Sequence, residues 1–313
     1  MWVVENTAVL SYRISIMPKL GYKLPVAIVL LLLTALAGFV HSRARRLVAP
    51  PRNITHQTPA DFGIATWEEV TFRTDDGLQL SGWYIPPQTE DGAALIYVHG
   101  LGSNRSALLD QAAMLAKQGY GALLFDLRAH GRSEGEKSSW GLTEVADVQA
   151  ALAFLQRQTA VDPSKIGIIG HSMGGAIAIR AAAQLPELRL VVAESAYTNF
   201  ANNTRRLTVS FARLPEWTAP LIMPWAEWIA GVDSRQLAPL QEVASLSPRP
   251  ILFIQAGHDK TVHVSNGSTL YDTAVSPKER LLIPEAGHNN LFETDPELMS
   301  KRLRRFLAQN LRD

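Results

Sequence analysis

The sequence predicts an α/β protein with a mostly parallel sheet, helices on both faces of it and a small helical insertion. Three observations predict this fold class. Short apolar runs alternate with amphipathic stretches, a β-hairpin precedes them, and the 313-residue chain leaves about 250 residues for one domain after its N-terminal segments. The composition is that of a globular protein, with 47% hydrophobic and 19% charged residues.

The first two strands are predicted as a hairpin. Apolar and polar residues alternate over Trp67–Arg73 and again over Leu78–Ile85. Asp75-Asp76-Gly77 lies between the two runs and is typical of a tight β-turn.

Continuous apolar runs of strand length follow the hairpin. Because buried parallel strands are covered on both faces, such runs predict a parallel sheet. The runs are Ala94–Val98, Ala122–Phe125, Lys165–Ile169, Leu188–Ala193, Ile251–Gln255 and Arg280–Ile283. The helices between them are predicted over Ser106–Gln118, Thr143–Gln158, Ala176–Gln184 and His263–Thr273. A last helix begins at Pro296 after the capping residue Asp295, and its predicted buried residues are Met299, Leu303, Phe306 and Leu307.

One connection is too long for a turn. Roughly 50 residues separate the strand that ends near Ser195 from the strand that opens at Pro250. We interpret residues 197–247 as a small helical cap, and we expect its tryptophans Trp217, Trp225 and Trp228 to bind substrate.

An uncharged segment lies near the N-terminus. Leu24–Val40 has 17 residues without a charge, enough for a helix of about 25 Å, close to the lower limit for spanning a bilayer. We therefore predict a tail over residues 1–23, a transmembrane anchor over 24–42, a linker over 43–62 and the main domain over 63–313. The alternative is a signal peptide, since Ala35-Leu36-Ala37 is an A-x-A cleavage pattern.

The basic residues beside this segment bear on its orientation. Arg13, Lys19 and Lys23 precede it, and four arginines follow it: Arg43, Arg45, Arg46 and Arg52. The positive-inside rule thus favours a cytoplasmic domain by a small margin, and by a larger one if translation begins at Met17. A cleaved signal peptide would instead place the domain outside the cytoplasm.

Composition excludes several functional classes. The formal net charge of +1 gives no electrostatic reason to expect a nucleic-acid partner. Cysteine is absent, which excludes disulfide frameworks, cysteine nucleophiles and thiolate metal sites. The glycine-rich segments lack the P-loop lysine and the third dinucleotide glycine, and no metal-binding motif is present, so we expect no cofactor and no metal.

A serine at a strand-to-helix turn is the candidate nucleophile. Gly170-His171-Ser172-Met173-Gly174 follows a predicted strand and precedes an apolar helical run, the context in which a serine hydroxyl is raised above the sheet. Gly131-Arg132-Ser133-Glu134-Gly135 has the same pattern, but no helix follows it. We therefore choose Ser172 and interpret Ser133 as a loop residue.

A serine nucleophile needs a base and a group that orients the base. His288 follows the last predicted strand, which puts it at the same edge of the sheet as Ser172. Asp259 follows the strand before that and is the expected acid, with Glu194 as the alternative. His171, inside the turn, is expected to point away from the site.

Two backbone amides are expected to stabilise the oxyanion. Met173 directly follows the nucleophile, and Leu101 lies in the glycine-containing loop after the Ala94–Val98 run. Asp126 ends a nearby strand and is expected to hold its own loop in place.

At these residues the sequence resembles the α/β-hydrolase superfamily, most closely the branch of serine esterases, lipases and prolyl-type aminopeptidases. The matching stretches are VHGLGSNR, FDLRAHGRSEG, GHSMGG, QAGHDKTV and EAGHNN, in family order over about Val70 to Leu311. The chain order Ser172, Asp259, His288 is that of the family.

The resemblance implies a serine hydrolase that forms an acyl-enzyme without a cofactor. An apolar cap favours a small-molecule ester or lipid-like substrate with a hydrophobic part. Three alternatives remain open. The first is an aminopeptidase, which would need a cap carboxylate such as Glu216 or Glu227 for a free α-amine. The others are an amide or thioester hydrolase that uses the same three residues, and a non-catalytic binding protein of the same fold.

Overall fold

The apolar runs form one eight-stranded sheet within residues 23–312, the part of the chain that this computed structural model describes. The predicted tail lies outside the described residues, apart from Lys23. The strands are β1 (Glu68–Arg73), β2 (Gln79–Ile85), β3 (Ala94–Val98), β4 (Gly121–Phe125), β5 (Ile166–His171), β6 (Leu188–Glu194), β7 (Ile251–Ala256) and β8 (Lys278–Ile283).

The sheet is mixed, with its antiparallel part at one edge. The strand order is β1-β2-β4-β3-β5-β6-β7-β8. Strands β1 and β2 form the hairpin, β2 pairs antiparallel with β4, and every later pairing is parallel. The mostly parallel sheet that the sequence predicts is therefore present, and each strand lies within one or two residues of its predicted bounds.

Helices connect the strands and precede them. They are α1 (Lys23–Val48), α2 (Leu109–Ala116), α3 (Glu144–Gln156), α4 (Met173–Gln184), α5 (Phe200–Leu207), α6 (Ala219–Ala230), α7 (Pro239–Glu242), α8 (Ser265–Thr273), α9 (Leu291–Thr294) and α10 (Pro296–Leu307). Helix α4 begins three residues before its predicted start at Ala176. The two glycines in its first turn, Gly174 and Gly175, conceal the start in the sequence because glycine is a poor helix former.

Alternating side chains place helices on both faces of the sheet. Leu252 and Ile254 of β7 belong to the core cluster that includes apolar residues of α2 and α10. Phe253, between them, points to the other face and packs against Tyr271 of α8 at 6.3 Å between ring centroids. The sheet is thus covered on each side, which explains why its strands are apolar throughout.

The connection between β6 and β7 is helical. It contains α5, α6 and α7, a π-helical turn at Thr208–Ala212, and 3-10 turns at Glu216–Thr218, Ser234–Gln236 and Val243–Leu246. We refer to this connection below as the cap.

The predicted linker differs from what the structure contains. Helix α1 continues to Val48, and Ala44, Leu47 and Val48 are buried. The reason is that the last helical carbonyls find donors: the Trp140 indole donates to Leu47 O at 2.6 Å, and Ser138 N donates to Val48 O at 2.7 Å. A 3-10 turn at Pro59–Phe62 closes the segment, so only the residues between them lack regular structure.

The chain divides into two compact units between Val40 and His41. The described part of the first unit is the N-terminal part of α1, whose apolar side chains are exposed. With a mean hydropathy of 2.3 over its most apolar window, α1 is long and apolar enough to cross a membrane, and a signal sequence fits the same description.

Candidate active site

Ser172 lies in a strained turn between β5 and α4. Its φ of 58° and ψ of −118° are unfavourable for a residue with a Cβ. The turn is possible because its neighbours are glycines. A Cβ on Gly170 would lie 2.1 Å from Gly174 O, and a Cβ on Gly174 would lie 2.0 Å from Val98 O. The local sequence therefore positions Ser172 at the carboxyl edge of the sheet.

A hydrogen-bonded chain joins Ser172 to an imidazole and a carboxylate. His288 Nε2 lies 2.8 Å from Ser172 Oγ, and His288 Nδ1 lies 2.7 Å from Asp259 Oδ2. The other carboxylate oxygen, Oδ1, accepts hydrogen bonds from the amides of Thr261 and Val262 at 2.9 and 2.7 Å. This arrangement suits proton transfer from a hydroxyl to an imidazole that a carboxylate orients.

The environment of Asp259 favours its ionised form. Burial would raise its pKa, but the hydrogen bond and charge of His288, with the two amide donors, outweigh burial and hold the pKa below the ordinary 3.8. Asp259 therefore stays negatively charged at neutral pH and accepts the hydrogen bond from His288.

Glu194, the alternative acid, occupies a different position. Its Oε2 accepts a hydrogen bond from Gln111 Nε2 at 3.2 Å and lies 3.9 Å from His171 Nδ1. Its Oε1 is buried with no hydrogen-bond partner. Burial raises the pKa of Glu194 to about 8, so this carboxyl is largely protonated at neutral pH.

His171 lies against His288, although we expected it to point away. The two ring centroids are 4.9 Å apart, and His171 lines the same cavity as Ser172. Burial and the neighbouring His288 lower the pKa of His171 to about 3, so its ring is neutral. The pattern around the turn gave no indication of this position, because G-x-S-x-G leaves the residue before the nucleophile unspecified.

Two other histidines organise the neighbouring loops. His99 Nε2 accepts from Leu127 N at 3.0 Å, and His130 Nε2 accepts from Gly102 N at 3.0 Å. Burial lowers the pKa of both rings, which keeps Nε2 available as an acceptor.

Asp126 and Ser133 also belong to these loops. The carboxylate of Asp126 accepts from the amides of Arg105 and Arg132 at 2.7 and 2.9 Å. Ser133 Oγ is buried and accepts from Ser81 N at 2.9 Å. Both side chains are thus engaged away from the hydrogen-bonded chain of Ser172.

The two amides expected to form an oxyanion hole lie on either side of Ser172. Met173 is the first residue of α4, where backbone amides are not used within the helix. Leu101 lies in the loop after β3, and this loop approaches closely: a Cβ on Gly100 would be 3.2 Å from Ser172 Cβ. Within residues 23–312, neither amide donates a hydrogen bond to a protein group.

Ser172 and His288 line a cavity of about 460 Å³. Its apolar wall comprises Leu101, Leu108, Phe211, Leu291 and Phe292. Its acidic wall comprises Asp110, Glu194 and Glu293, with Gln111 beside them. The cavity thus offers both apolar side chains and carboxyls near one serine.

The structure does not bring the three cap tryptophans to this cavity. Helix α6 buries Ile222, Met223 and Ala226 on its inner face, so Trp225 and Trp228 lie on the opposite face, and Trp217 is exposed in the preceding 3-10 turn. The cap residues that line the cavity are Ser210 and Phe211 of the π-helical turn, which the sequence analysis missed. No periodicity distinguishes this turn from the rest of the cap.

The two cap carboxylates considered for an amine also lie elsewhere. Glu216 is exposed, and Glu227 lines a separate cavity together with Trp228 and Arg235. Among the described residues, no group of three or more metal-ligating side chains is placed to hold a metal ion.

Comparisons with known proteins show the family of the chain. Residues 89–248 match the family described as Serine aminopeptidase, S33. The uncharacterized protein Rv2307c of Mycobacterium tuberculosis is 30% identical over 91% of this chain and 94% of its own length. The uncharacterized protein YfhR of Escherichia coli is 27% identical over 74% of this chain and 77% of its own.

Solved structures include a similar esterase. The esterase Pf2001 of Pyrococcus furiosus superposes with a TM-score of 0.72 at 29% identity, over 85% of this chain and 98% of its own. A hydrolase with the α/β fold and a reactive serine is thus the protein class to which the sequence, the geometry and the comparisons all point.

The buried Glu194 predicts a specific pH dependence of stability. Its pKa is about 8 in the folded protein and about 4.5 in the unfolded chain, so the folded state holds a proton that the unfolded state loses between these values. Its contribution to stability is therefore complete below about pH 4.5 and is lost as the pH rises towards 8. We expect the melting temperature of Glu194→Gln, relative to the unmodified protein, to increase steadily from pH 5 to 8.5.

The exposed Glu187 provides the control, since Glu187→Gln removes a similar carboxyl that stays in water. Its melting temperature should follow that of the unmodified protein at every pH. A constant difference between Glu194→Gln and the unmodified protein across this range would contradict the protonated state of Glu194.

Proposed function

The chain belongs to the S33 serine aminopeptidase family of α/β hydrolases, and from this premise we propose that it hydrolyses carboxylic esters through an acyl-enzyme on Ser172. The observation that carries the proposal is the chain of short hydrogen bonds from Ser172 through His288 to Asp259, which lies at a strained turn facing the cavity. The esterase Pf2001, at 29% identity, supports ester cleavage as the reaction.

The reaction follows from the roles of three side chains. Ser172 Oγ attacks the acyl carbon while His288 Nε2 takes its proton, and the imidazolium then returns that proton to the leaving alcohol. A water molecule, deprotonated by His288, attacks the acyl-enzyme, and the proton goes back to Ser172 Oγ as the acid is released. Asp259 stabilises the imidazolium and fixes its tautomer throughout.

Charge on the acyl oxygen is stabilised by backbone amides. The amides of Met173 and Leu101 receive the oxyanion, assisted by the positive end of the α4 dipole. The apolar wall with Leu101, Phe211 and Phe292 receives the hydrophobic part of the ester. No cofactor takes part in this sequence of steps.

A second candidate function is the release of an N-terminal residue from a peptide or amide. The carboxyls of the cavity favour it, because Asp110 and the exposed Glu293 line the cavity and a carboxylate can bind a protonated α-amine. In this case the amine is recognised from the main domain, since Glu216 and Glu227 of the cap do not line the cavity.

We further propose that residues 24–42 are retained as a membrane anchor. Helix α1 is exposed and apolar over this stretch, and arginines follow it. The excess of positive charge after the segment supports a cytoplasmic main domain.

The nucleophile can be identified by covalent labelling. We expect a fluorophosphonate probe to label the unmodified protein and Ser133→Ala, and to leave Ser172→Ala unlabelled. Ser133 is the matched control because it has the same local sequence pattern but is buried and hydrogen-bonded. Labelling that persists in Ser172→Ala would refute the assignment.

The two acids can be separated by isosteric substitution. Asp259→Asn should lower kcat by up to about 10⁴-fold, since an amide cannot hold His288 in the required tautomer. Glu194→Gln should reduce kcat for a p-nitrophenyl ester far less, because Glu194 makes no contact with His288 among the described residues. If kcat falls more in Glu194→Gln than in Asp259→Asn, Glu194 and not Asp259 orients His288.

The bond type can be decided with a substrate panel. We expect p-nitrophenyl esters of increasing acyl length to be cleaved, and aminoacyl p-nitroanilides to be cleaved slowly or not at all. If the anilides are preferred, Glu293→Gln should raise their KM and leave the KM of the esters unchanged, because it removes a carboxylate that lines the cavity. A protein that Ser172-directed probes label but that cleaves neither class would contradict both candidate functions.

The anchor predicts that the full-length protein resists extraction from membranes. Residues 24–40 bury their apolar side chains in lipid, so the protein should remain in the membrane fraction after alkaline carbonate treatment. A shortened chain beginning at His41 is the control and should be released. Intact-mass analysis of the purified protein can contradict the anchor: a mature N-terminus at Gly38 would identify a cleaved signal peptide.

A further inference from the structure

Helix α6 of the cap is apolar on both faces. Its inner face buries Ile222, Met223 and Ala226. Its outer face and the preceding turn expose four large side chains, which we call the cap patch. They are Trp217 (71% exposed), Leu221 (64%), Trp225 (39%) and Trp228 (72%).

This pattern departs from that of a helix at a protein–water boundary. Such a helix is polar on its outer face, but α6 contains a single charged residue, Glu227. Positions 217, 221, 225 and 228 are spaced at three or four residues, so their side chains form one continuous stripe. Trp225 and Trp228 contact each other, with ring centroids 5.3 Å apart.

The other exposed large apolar residues of the second unit are scattered along the chain. They are Ile54, Val209, Val275 and Leu282. Isolated exposed apolar residues are ordinary, whereas a contiguous apolar patch marks a surface that is covered in the working protein.

The composition of the patch indicates what covers it. Tryptophan is enriched at the membrane–water interface, where the ring lies among lipids and the indole N–H remains near polar groups. Three of the four patch residues are tryptophans. A helix that lies in the interface buries an apolar face among lipids. The opposite face of α6 is also apolar, but the domain covers it.

The first residues of the second unit contact the cap. His41 directly follows the apolar stretch in the chain, and its Nδ1 accepts a hydrogen bond from the Trp225 indole at 3.0 Å. Arg43, two residues on, donates to Ala212 O of the cap at 3.3 Å. The residue at which an anchored chain leaves the bilayer is therefore hydrogen-bonded to the cap patch itself.

We propose that the cap patch is a membrane-contact surface: Trp217, Leu221, Trp225 and Trp228 lie in the lipid interface at the point where the chain leaves the bilayer. This proposal rests on the proposed anchor and is independent of the bond that Ser172 cleaves. Phe211, which lines the cavity, is six residues from Trp217 in the same cap, so one short segment connects the lipid contact with the substrate wall.

The absence of cysteine allows a direct test with a single introduced thiol. Leu221→Cys in the full-length chain is labelled with the environment-sensitive fluorophore NBD and reconstituted into phosphatidylcholine vesicles. Lys301→Cys, on the exposed face of α10, is the matched control. Circular dichroism melting curves of both labelled variants should match that of the unmodified protein.

We expect NBD at position 221 to shift its emission to shorter wavelength in vesicles, to be quenched by lipids that carry a doxyl group, and to be protected from aqueous iodide. NBD at position 301 should show the reverse. Iodide quenching at 221 equal to that at 301 overturns the proposal. Protection at 221 from both quenchers also overturns it, because another protein or a second copy of the chain then covers the patch.

Flotation of the same vesicles separates this proposal from that of the anchor. If the chain floats with the vesicles while position 221 is accessible to iodide, the anchor proposal stands and the membrane-contact surface is refuted. If intact-mass analysis shows that the mature chain begins at Gly38, the anchor proposal is refuted, and the cleaved chain is mixed with the same vesicles. Doxyl quenching at position 221 then supports the membrane-contact surface without an anchor. If doxyl lipids do not quench NBD at position 221, the membrane-contact surface is refuted as well.

Discussion

The tight passage of the chain through Ser172 is the constraint on which the rest of the site depends. Gly174 packs so closely on the end of β3 that a Cβ there would meet Val98 O at 2.0 Å. This contact holds the β5–α4 turn against the β3 loop. This contact therefore holds three groups close together: the amides of Met173 and Leu101 and the hydroxyl of Ser172. The loops that contain Asp259 and His288 follow parallel strands of the same sheet. Because the carboxyl ends of parallel strands meet at one edge of the sheet, these loops lie at the same edge as Ser172.

The protonation of the buried acids follows from their partners. Asp259 and Glu194 are both buried, but Asp259 receives two amide hydrogen bonds and faces His288, whereas Glu194 receives one hydrogen bond from a neutral amide side chain. Burial favours the neutral form of each, and only Asp259 has enough donors to reverse that effect. The cavity therefore combines a charged carboxylate behind the imidazole with a protonated carboxyl in its wall.

The segment after the apolar stretch is part of the fold rather than a tether. Leu47 and Val48 are connected through their carbonyls to Trp140 and Ser138, and Arg52 donates to the carbonyls of Gly131 and Gly135 at 3.1 and 2.7 Å. The same short stretch contacts the cap through His41. These contacts fix residues 41–52 on the second unit, next to the cap and the loop that contains Gly131 and Gly135.

By itself, the sequence determined the sheet and the order of its elements, because strand length, apolar periodicity and the glycine turn are local properties of the chain. It also singled out Ser172, Asp259 and His288, whose side chains lie within hydrogen-bonding distance in the structure. It did not determine which cap residues line the cavity, where His171 lies, or that residues 43–48 are helical with Ala44, Leu47 and Val48 buried. Those features depend on contacts between distant segments. Phe211 reaches the cavity through the path of the cap, and the Trp140 indole donates to a carbonyl 93 residues away. The tryptophans of α6 face outward because Ile222 and Met223 occupy its inner face. Periodicity shows that a helix has a buried face, but for a helix apolar all round only tertiary packing decides which face that is.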